Sequence, residues 1–337
     1  MRKLINLMLW AVVMLICVAC EHKELCYHHP HKIDIYVEFD WCNAPEANPE
    51  GMCVFFYPET GGEPRRYDFV GTQGGKITIA AGKYKVLCYN NDTEAIQFNN
   101  IKSFGSHEGY TREGDILEPI YGSGYYRSNT PKAADAEDQA VVICPDMLWV
   151  GTALDVNITE HGMSYTCVPE KDKDNVQFVE SSDQIITLYP CEQVCTYSYE
   201  INDVENIDGV SQMCATLSGL AGSQFLATGE LGTESKTLTF EAKPNRQDAQ
   251  ITGEFYTFGH NLQNNDPHLM VLYVIFNSGK KLYYTFDVTE QVHNAENPRR
   301  VHIVINGLGL PESVEDTGSG MDVAVDDWGT EYIEMPV

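Results

Sequence analysis

The chain has 337 residues, and 49 acidic side chains against 22 basic ones give it a formal net charge of −27 at pH 7. A surface this acidic repels phosphate backbones, which excludes nucleic acid as a partner, and it also disfavours docking on anionic lipid headgroups. Hydrophobic residues make up 43% of the chain, enough for ordinary globular cores, and the length predicts about two domains.

The N-terminus carries the pattern of a targeting segment. Arg2 and Lys3 precede an apolar run that stops at Cys20, and a polar stretch follows at once. The run is shorter than the roughly 20 apolar residues of a transmembrane helix, so we expect a signal peptide over residues 1–19. The letters CVAC resemble a bacterial lipobox, which predicts cleavage before Cys20, acylation of Cys20 and a lipid-anchored tether over residues 20–32. The alternative is an ordinary secretory signal that ends near a cysteine.

An odd number of cysteines remains once one is lost with the signal and Cys20 takes the lipid, so at least one is unpaired within the chain. Cys42 and Cys53 flank a loop between two predicted strands, where a disulfide is possible. Cys191 and Cys195 are too far apart to bond if both lie in one extended strand. We expect most of the others to be small buried side chains.

Residues 33–41 open the mature fold with a strict alternation of apolar and polar side chains. A period of two predicts a strand with one buried face, closed by a largely buried Trp41. Short strand candidates separated by Gly-rich turns follow, and together they predict an N-terminal β-sandwich domain of antiparallel strands over residues 33–178. Residues 99–140 are weakly patterned, and we expect long loops at one end of the sandwich, a place where loops often carry function.

The second half, residues 179–337, repeats this style and predicts a C-terminal β-sandwich domain. Residues 268–276 are apolar on both faces, which favours a central strand covered on both sides. Residues 213–226 suggest a short helix, weakened by glycines. The final segment, residues 330–337, has few apolar anchors. We therefore expect it to pair within its own domain and the isolated protein to be a monomer.

Motifs for catalysis or cofactor binding are missing from the sequence. It has no G-x-S-x-G, H-E-x-x-H, P-loop or EF-hand pattern, so we predict no catalytic residue, no cofactor and no metal site. Cys26, His28, His29 and His31 form the densest group of metal-ligand side chains. Their spacing lacks a second ligand pair, so we interpret them as part of a polar tether.

A Gly/Ser-rich loop offers the candidate ligand-contact residues Tyr121, Tyr125, Tyr126 and Arg127. Tyrosines in loops stack on sugars or form protein contacts. The competing interpretation is that the loop packs onto its own sandwich.

Several segments from the first predicted strand to the C-terminus carry a family likeness: residues 29–41, 55–64, 81–92, 217–223, 253–260, 283–294 and 325–335. With the lipobox, they resemble a Bacteroidetes family of lipoproteins with a domain of unknown function, which is related to the fimbrillin superfamily that builds and anchors surface fimbriae. The resemblance implies two transthyretin-like β-sandwich domains in tandem, no enzyme activity and a role at the outer membrane. We expect the lipid-anchored domains to face the cell surface, with the periplasmic face as the alternative.

The resemblance also implies assembly with fimbrial subunits by strand addition. In fimbrillins a protease cuts after an arginine, the first strand leaves, and a neighbour's strand fills the groove, a form of β-augmentation. This chain departs from that pattern because no arginine lies between Cys20 and Ile33, and the first candidates are Arg65 and Arg66. We therefore predict an uncut, anchor-like, fimbria-associated adhesion component held in the membrane by acyl chains on Cys20. The alternative is a surface lipoprotein that binds glycans through residues 121–127.

Overall fold

Strands dominate the part of the chain that the computed structural model describes, which is residues 32–124, 130–159, 184–312 and 329–330. The strands are, in chain order, β1 (Lys32–Phe39), β2 (Gly51–Pro58), β3 (Arg65–Val70), β4 (Gly74–Ala80), β5 (Gly82–Asn90), β6 (Ile96–Asn99), β7 (Glu108–Thr111), β8 (Val141–Ile143), β9 (Trp149–Ile158), β10 (Gln184–Leu188), β11 (Cys191–Glu192), β12 (Cys195–Glu205), β13 (Val210–Ala221), β14 (Ser223–Phe225), β15 (Ser235–Glu241), β16 (Lys243–Asn245), β17 (Gln250–Thr257), β18 (Leu269–Phe276), β19 (Lys281–Asp287), β20 (Arg300–Gly309) and β21 (Gly329–Thr330). The α-helices in these residues are α1 (Glu118–Tyr121) and α2 (Thr289–His293), and 3₁₀ turns lie at Phe104–Ser106, Ala134–Ala136 and Ile207–Gly209. None of these helices has the length and apolar character that crossing a membrane needs. The all-β prediction is confirmed.

The first sandwich packs a three-stranded sheet, in the order β10-β1-β4, against a five-stranded sheet, in the order β11-β9-β5-β2-β3. The alternation predicted for β1 is confirmed, because Ile35, Val37 and Phe39 point into the core and the residues between them are exposed. A strand with one apolar face buries that face against the opposite sheet, since this removes apolar surface from water.

Trp41 is not the largely buried end of this strand, and that prediction is wrong. The strand ends at Phe39, and the backbone turns where the Cys42 amide donates to the Asp40 carboxylate. Trp41 is half-buried beyond this turn. Its indole N–H donates to the Thr72 carbonyl at 2.9 Å, and its ring meets Trp149 edge-on.

The second sandwich packs a four-stranded sheet, β16-β17-β12-β20, against a six-stranded sheet, β21-β19-β18-β13-β15-β8. The prediction of a central strand at residues 268–276 is confirmed by β18, which is buried along its whole length between β13 and β19. The predicted helix at residues 213–226 is wrong, because this stretch belongs to β13 and β14. Pairing on both sides of β13 outweighs helical propensity. Gly219 lies at a β-bulge in this strand and has a φ of +77°, a conformation that glycine adopts without strain.

Three of the five sheets in the described residues are mixed, where sequence patterns had suggested antiparallel strands throughout. Four pairings are parallel: β1 with β10, β12 with β20, β15 with β8, and β19 with β21. Each joins strands far apart in sequence, which local alternation does not encode. The transthyretin-like topology stays a prediction.

The described residues within 99–140 include a strand and short helical turns as well as loops, and they do not lie together at one end of a single sandwich, contrary to expectation. The strand β7 pairs with both β6 and β14, so a small fifth sheet, the β14-β7-β6 sheet, joins the two halves of the chain. Further along, Ile116 and Leu117 pack on the outer face of the six-stranded sheet, and the Tyr273 hydroxyl donates to the Pro131 carbonyl at 2.7 Å. This cover explains why β18 is apolar on both faces.

Strands also cross the predicted domain boundary between residues 178 and 179. The first-sandwich sheets include β10 and β11, although the boundary assigns both to the second domain. In the other direction, β8 joins the second sandwich through β15. Within the described residues the chain visits the second sandwich at β8, returns to the first for β9 to β11 and enters the second again at β12. The exact extent of each domain stays a prediction.

The seven cysteines in the described residues are free thiols. Cys42 is exposed and Cys53 is buried in β2, so the disulfide considered between them is not formed. Burial raises the pKa of the Cys53 thiol to about 12, which makes it inert at neutral pH. Cys191 and Cys195 lie in the separate strands β11 and β12, so the single extended strand assumed for them is not formed, and both are free thiols.

Candidate interaction surfaces

The first strand in the described residues, β1, is an internal strand of its sheet. Cys20 and the histidine-rich tether lie outside the described residues, so lipid attachment and the tether interpretation stay predictions. From Lys32 onward, β1 is hydrogen-bonded on both sides, with β10 parallel to it and β4 antiparallel to it. Its inward side chains Ile35 and Val37 are fully buried. Removal of this strand would open an apolar groove between β10 and β4.

The first arginines after the tether lie inside a paired strand. Arg65 and Arg66 open β3, opposite Phe56 and Phe55 of β2. The Arg66 guanidinium donates to the Asp68 carboxylate at 2.8 and 3.0 Å, and β3 forms the outer edge of its sheet. A protease that needs an extended, unpaired segment reaches these peptide bonds only after β3 separates from β2. Charged side chains along an edge strand also discourage another chain from pairing there.

A glutamine side chain hydrogen-bonds to the outer edge of β20, the longest strand at a sheet edge in the described residues. The strand β20 is hydrogen-bonded to β12 on one side, and its other side faces α2. The Gln291 side chain accepts from the Val304 amide at 2.8 Å and donates to the Val304 carbonyl at 2.9 Å. One side-chain amide thus satisfies the backbone groups that a neighbouring strand would use. The sequence gives no signal for this contact, which tertiary structure alone creates.

Of the four candidate ligand-contact residues, the described part of the chain contains Tyr121. It is the last residue of α1, and 41% of its surface is exposed. Tyr125, Tyr126 and Arg127 lie outside the described residues, so the loop as a contact site stays a prediction.

The base of this loop is firmly held. Arg112 forms an ion pair with Glu118, the first residue of α1, and this hydrogen bond lowers the pKa of the Glu118 carboxyl. The Asp115 carboxylate accepts from the Leu117 amide at 2.9 Å, and Thr239 donates to the Ile116 carbonyl at 2.7 Å. Tyr121 therefore stands on a rigid base over the six-stranded sheet.

A groove of about 460 Å³ lies where the β14-β7-β6 sheet meets β15. This volume falls within the range of small-molecule sites, roughly 300–1,000 Å³. Its walls include Tyr110 and Phe225, with Arg112 and Lys236 beside Glu113 and other carboxylates. Because both signs of charge line the groove, it favours no single class of charged ligand.

Comparison with known proteins places the chain in context. The sequence model of a family described as "Domain of unknown function (DUF5119)" matches residues 19–241. A curated relative from Bacteroides ovatus, named "Putative fimbrium anchoring subunit Fim4B", is 23% identical and aligns over 96% of each chain.

Solved structures also align with most of this chain. One is a "putative adhesin" from Bacteroides ovatus, with a TM-score of 0.58, 20% identity and coverage of 84% of this chain and 93% of that one. Another is the fimbrial anchor protein Mfa2 from Porphyromonas gingivalis, with 14% identity and coverage of 81% and 91%. Its TM-score is 0.45.

Proposed function

The chain belongs to the DUF5119 family, and on that premise we propose that it is a non-enzymatic, lipid-anchored component of the cell envelope, associated with fimbriae in an anchor-like role. The relative named as a fimbrium anchoring subunit supports this proposal, because the alignment spans 96% of both chains and so includes both sandwiches. In the proposal, acyl chains on Cys20 hold the protein at the outer membrane and the two sandwiches face the cell surface.

The observation that supports the anchor-like role is the lack of an arginine between Cys20 and β1, a strand that is paired on both sides. No arginine precedes this strand after Cys20, and the first ones, Arg65 and Arg66, are tied into the ladder between β2 and β3. A chain that keeps its first strand keeps the covalent link from its folded body to the acylated cysteine. Such a subunit stays on the membrane, whereas a subunit cut after that strand would be released from its lipid.

The test is fimbrial retention in the source bacterium. We expect cells that lack this chain, or that carry Cys20→Ala, to shed fimbriae into the medium, whereas wild-type cells keep them. Fimbriae are measured by blotting the shaft subunit in washed cells and in cell-free medium. An unchanged distribution in both mutants would contradict the anchor-like role. Protease shaving of intact cells, followed by blotting for this chain, tests surface exposure separately.

The exposed Tyr121 favours a second candidate function, which is glycan binding through residues 121–127. An aromatic side chain on a rigid base is suited to stack on a sugar ring. The discriminating measurement is retardation of the purified protein in gels that contain polysaccharide, with Tyr121→Ala and Tyr125→Ala/Tyr126→Ala as variants. Retardation that these substitutions abolish would support glycan binding, and equal mobility with and without polysaccharide would exclude it for the glycans used.

A further inference from the structure

Three histidines from separate segments meet beside the ends of β17 and β18. His260 follows β17, His268 precedes β18, and His293 is the last residue of α2. Their ring centres are 5.3 Å apart for His260–His268, 5.5 Å for His260–His293 and 4.8 Å for His268–His293. His260 and His268 are buried, and His293 is half-buried.

The two buried rings are each held by the Nδ1 atom. His268 Nδ1 lies 2.9 Å from the Ser218 carbonyl oxygen, so this nitrogen is the donor and Nε2 keeps the lone pair. His260 Nδ1 lies 2.8 Å from the Tyr197 hydroxyl, and His260 Nε2 is buried with no hydrogen-bond partner among the described residues. Histidines that bind a metal through one ring nitrogen commonly fix the other in this way, which orients the ring.

We propose that His260, His268 and His293 bind one divalent transition-metal ion of the zinc class. Three imidazole nitrogens suit Zn²⁺, Ni²⁺ or Cu²⁺ better than Ca²⁺ or Mg²⁺, which prefer oxygen ligands. Around a tetrahedral ion with metal–nitrogen bonds of about 2.0–2.1 Å, ring centres lie roughly 5 Å apart, which matches the separations of these three rings.

Binding requires His293 to reorient. As the side chains stand, no group of three or more His, Cys, Asp or Glu residues in the described ranges is arranged to hold a metal ion. The rings of His260 and His293 are nearly parallel, at 13°, instead of facing a common point. His293 is the ring that can turn, because it is half-buried at the end of a five-residue helix, whereas the two buried rings are fixed by their Nδ1 contacts.

Nearby carboxylates offset the charge that such an ion brings. Asp266 lies two residues before His268, and Asp287 is the register partner of Leu269, the residue after His268. The net charge of −27 adds a long-range attraction for cations. The ion would link α2, which leads into β20, to the loops before β18 and after β17, and its fourth position would remain for water.

The experiment measures Co²⁺ and Zn²⁺ binding to the full mature chain, produced without a histidine tag. In every protein Cys26, His28, His29 and His31 are replaced by alanine, so that the tether does not bind metal. We expect one ion per chain by equilibrium dialysis, visible Co²⁺ absorption without a thiolate-to-cobalt band, and a melting temperature that rises with Zn²⁺. His293→Ala should weaken binding by at least about tenfold and abolish the rise.

His302→Ala is the matched control, since His302 is exposed and pairs with Ser198, away from the cluster. It should bind as the parent does. The proposal is overturned if the parent retains no metal, if His293→Ala binds as tightly as His302→Ala, or if the cobalt spectrum shows cysteine ligation. The reorientation has its own readout in the His293 ring resonances, which should shift with Zn²⁺ in the parent.

Discussion

His107 is fully buried where the two sandwiches meet, between the hydroxyls of two tyrosines. Its Nδ1 is 2.7 Å from the Tyr57 oxygen and its Nε2 is 3.2 Å from the Tyr89 oxygen. A neutral imidazole has one donor and one acceptor nitrogen, so it satisfies both hydroxyls. Burial, with a smaller contribution from Arg66, lowers the pKa of His107 to about 4.

This depressed pKa makes stability depend on pH. The unfolded chain, with an ordinary histidine pKa near 6.5, binds more protons than the folded chain between about pH 4 and 6.5. The free energy of unfolding is therefore not reduced by this histidine above about pH 6.5. Below that pH it falls as the pH falls, by at most about 1.4 kcal/mol per pH unit for each such histidine. His107→Gln should flatten the slope between pH 6.5 and 4 and lower stability at pH 7 by about 1–3 kcal/mol, because one hydroxyl loses its partner.

Urea unfolding at several pH values measures this effect. His302→Gln is the control, because this exposed histidine should leave the slope unchanged. Parallel curves for His107→Gln and the parent would mean that His107 does not contribute to the pH dependence.

Cys20 carries the prediction for membrane attachment. Cys20→Ala should move nearly all of the protein from the membrane fraction to the soluble fraction and leave the fold intact, since Cys20 precedes β1 by more than ten residues. Blots of fractionated cells measure the distribution, and Cys26→Ala, in the same tether, should stay membrane-bound. A Cys20→Ala protein that resists high-salt washing would show that the lipid is not on this residue.

At the scale of the element, the edge of β20 depends on Gln291. Gln291→Leu keeps the size of the side chain but leaves the amide and carbonyl of Val304 without their partner. We expect a loss of about 1–3 kcal/mol and self-association that grows with concentration, because an open strand edge pairs with other strands. Denaturant unfolding and sedimentation velocity measure the two effects.

Gln291→Glu is the graded control for that edge. The carboxylate still accepts from the Val304 amide but no longer donates to its carbonyl, so the loss should be smaller than for Gln291→Leu. If Gln291→Leu is as stable and as monomeric as the parent, then α2 itself, and not this side chain, protects the edge.

At the scale of the whole molecule, one apolar cluster belongs to both halves of the chain. Phe55 and Leu87 from the first sandwich pack in it with Leu226 and Phe258 from the second. The β14-β7-β6 sheet adds backbone hydrogen bonds between the halves, because β14 from the second half pairs with β7 from the first. A shared core couples the two sandwiches, because neither half can unfold without exposing it.

We therefore expect a single unfolding transition that a junction mutation shifts as a whole. Leu226→Ala should cost about 2–5 kcal/mol, since the residue is 2% exposed. Calorimetry should show one peak at lower temperature. Leu262→Ala, at a site 69% exposed, should change stability by less than about 0.5 kcal/mol. Two separate peaks, only one of them shifted by Leu226→Ala, would mean that the sandwiches unfold independently.

The sequence by itself determined the all-β class, the one-sided burial of β1 and the central place of β18. These features follow from the period of apolar side chains, which is set by residues close together in sequence. The helix expected at residues 213–226 failed because strand pairing on both sides of β13 outweighed local propensity. The prediction that Trp41 is largely buried was wrong because a turn after Phe39 ended the alternation of buried and exposed side chains.

Only the tertiary structure decided which distant segments meet. The pairing of β1 with β10, the contact of Gln291 with Val304 and the cluster of His260, His268 and His293 join residues from separate segments of the chain. No spacing motif marks such contacts, because they depend on how every strand finds its neighbour. The free energy of each strand pairing depends on all the alternative pairings and not on the residues next to it in sequence, so local pattern does not specify it.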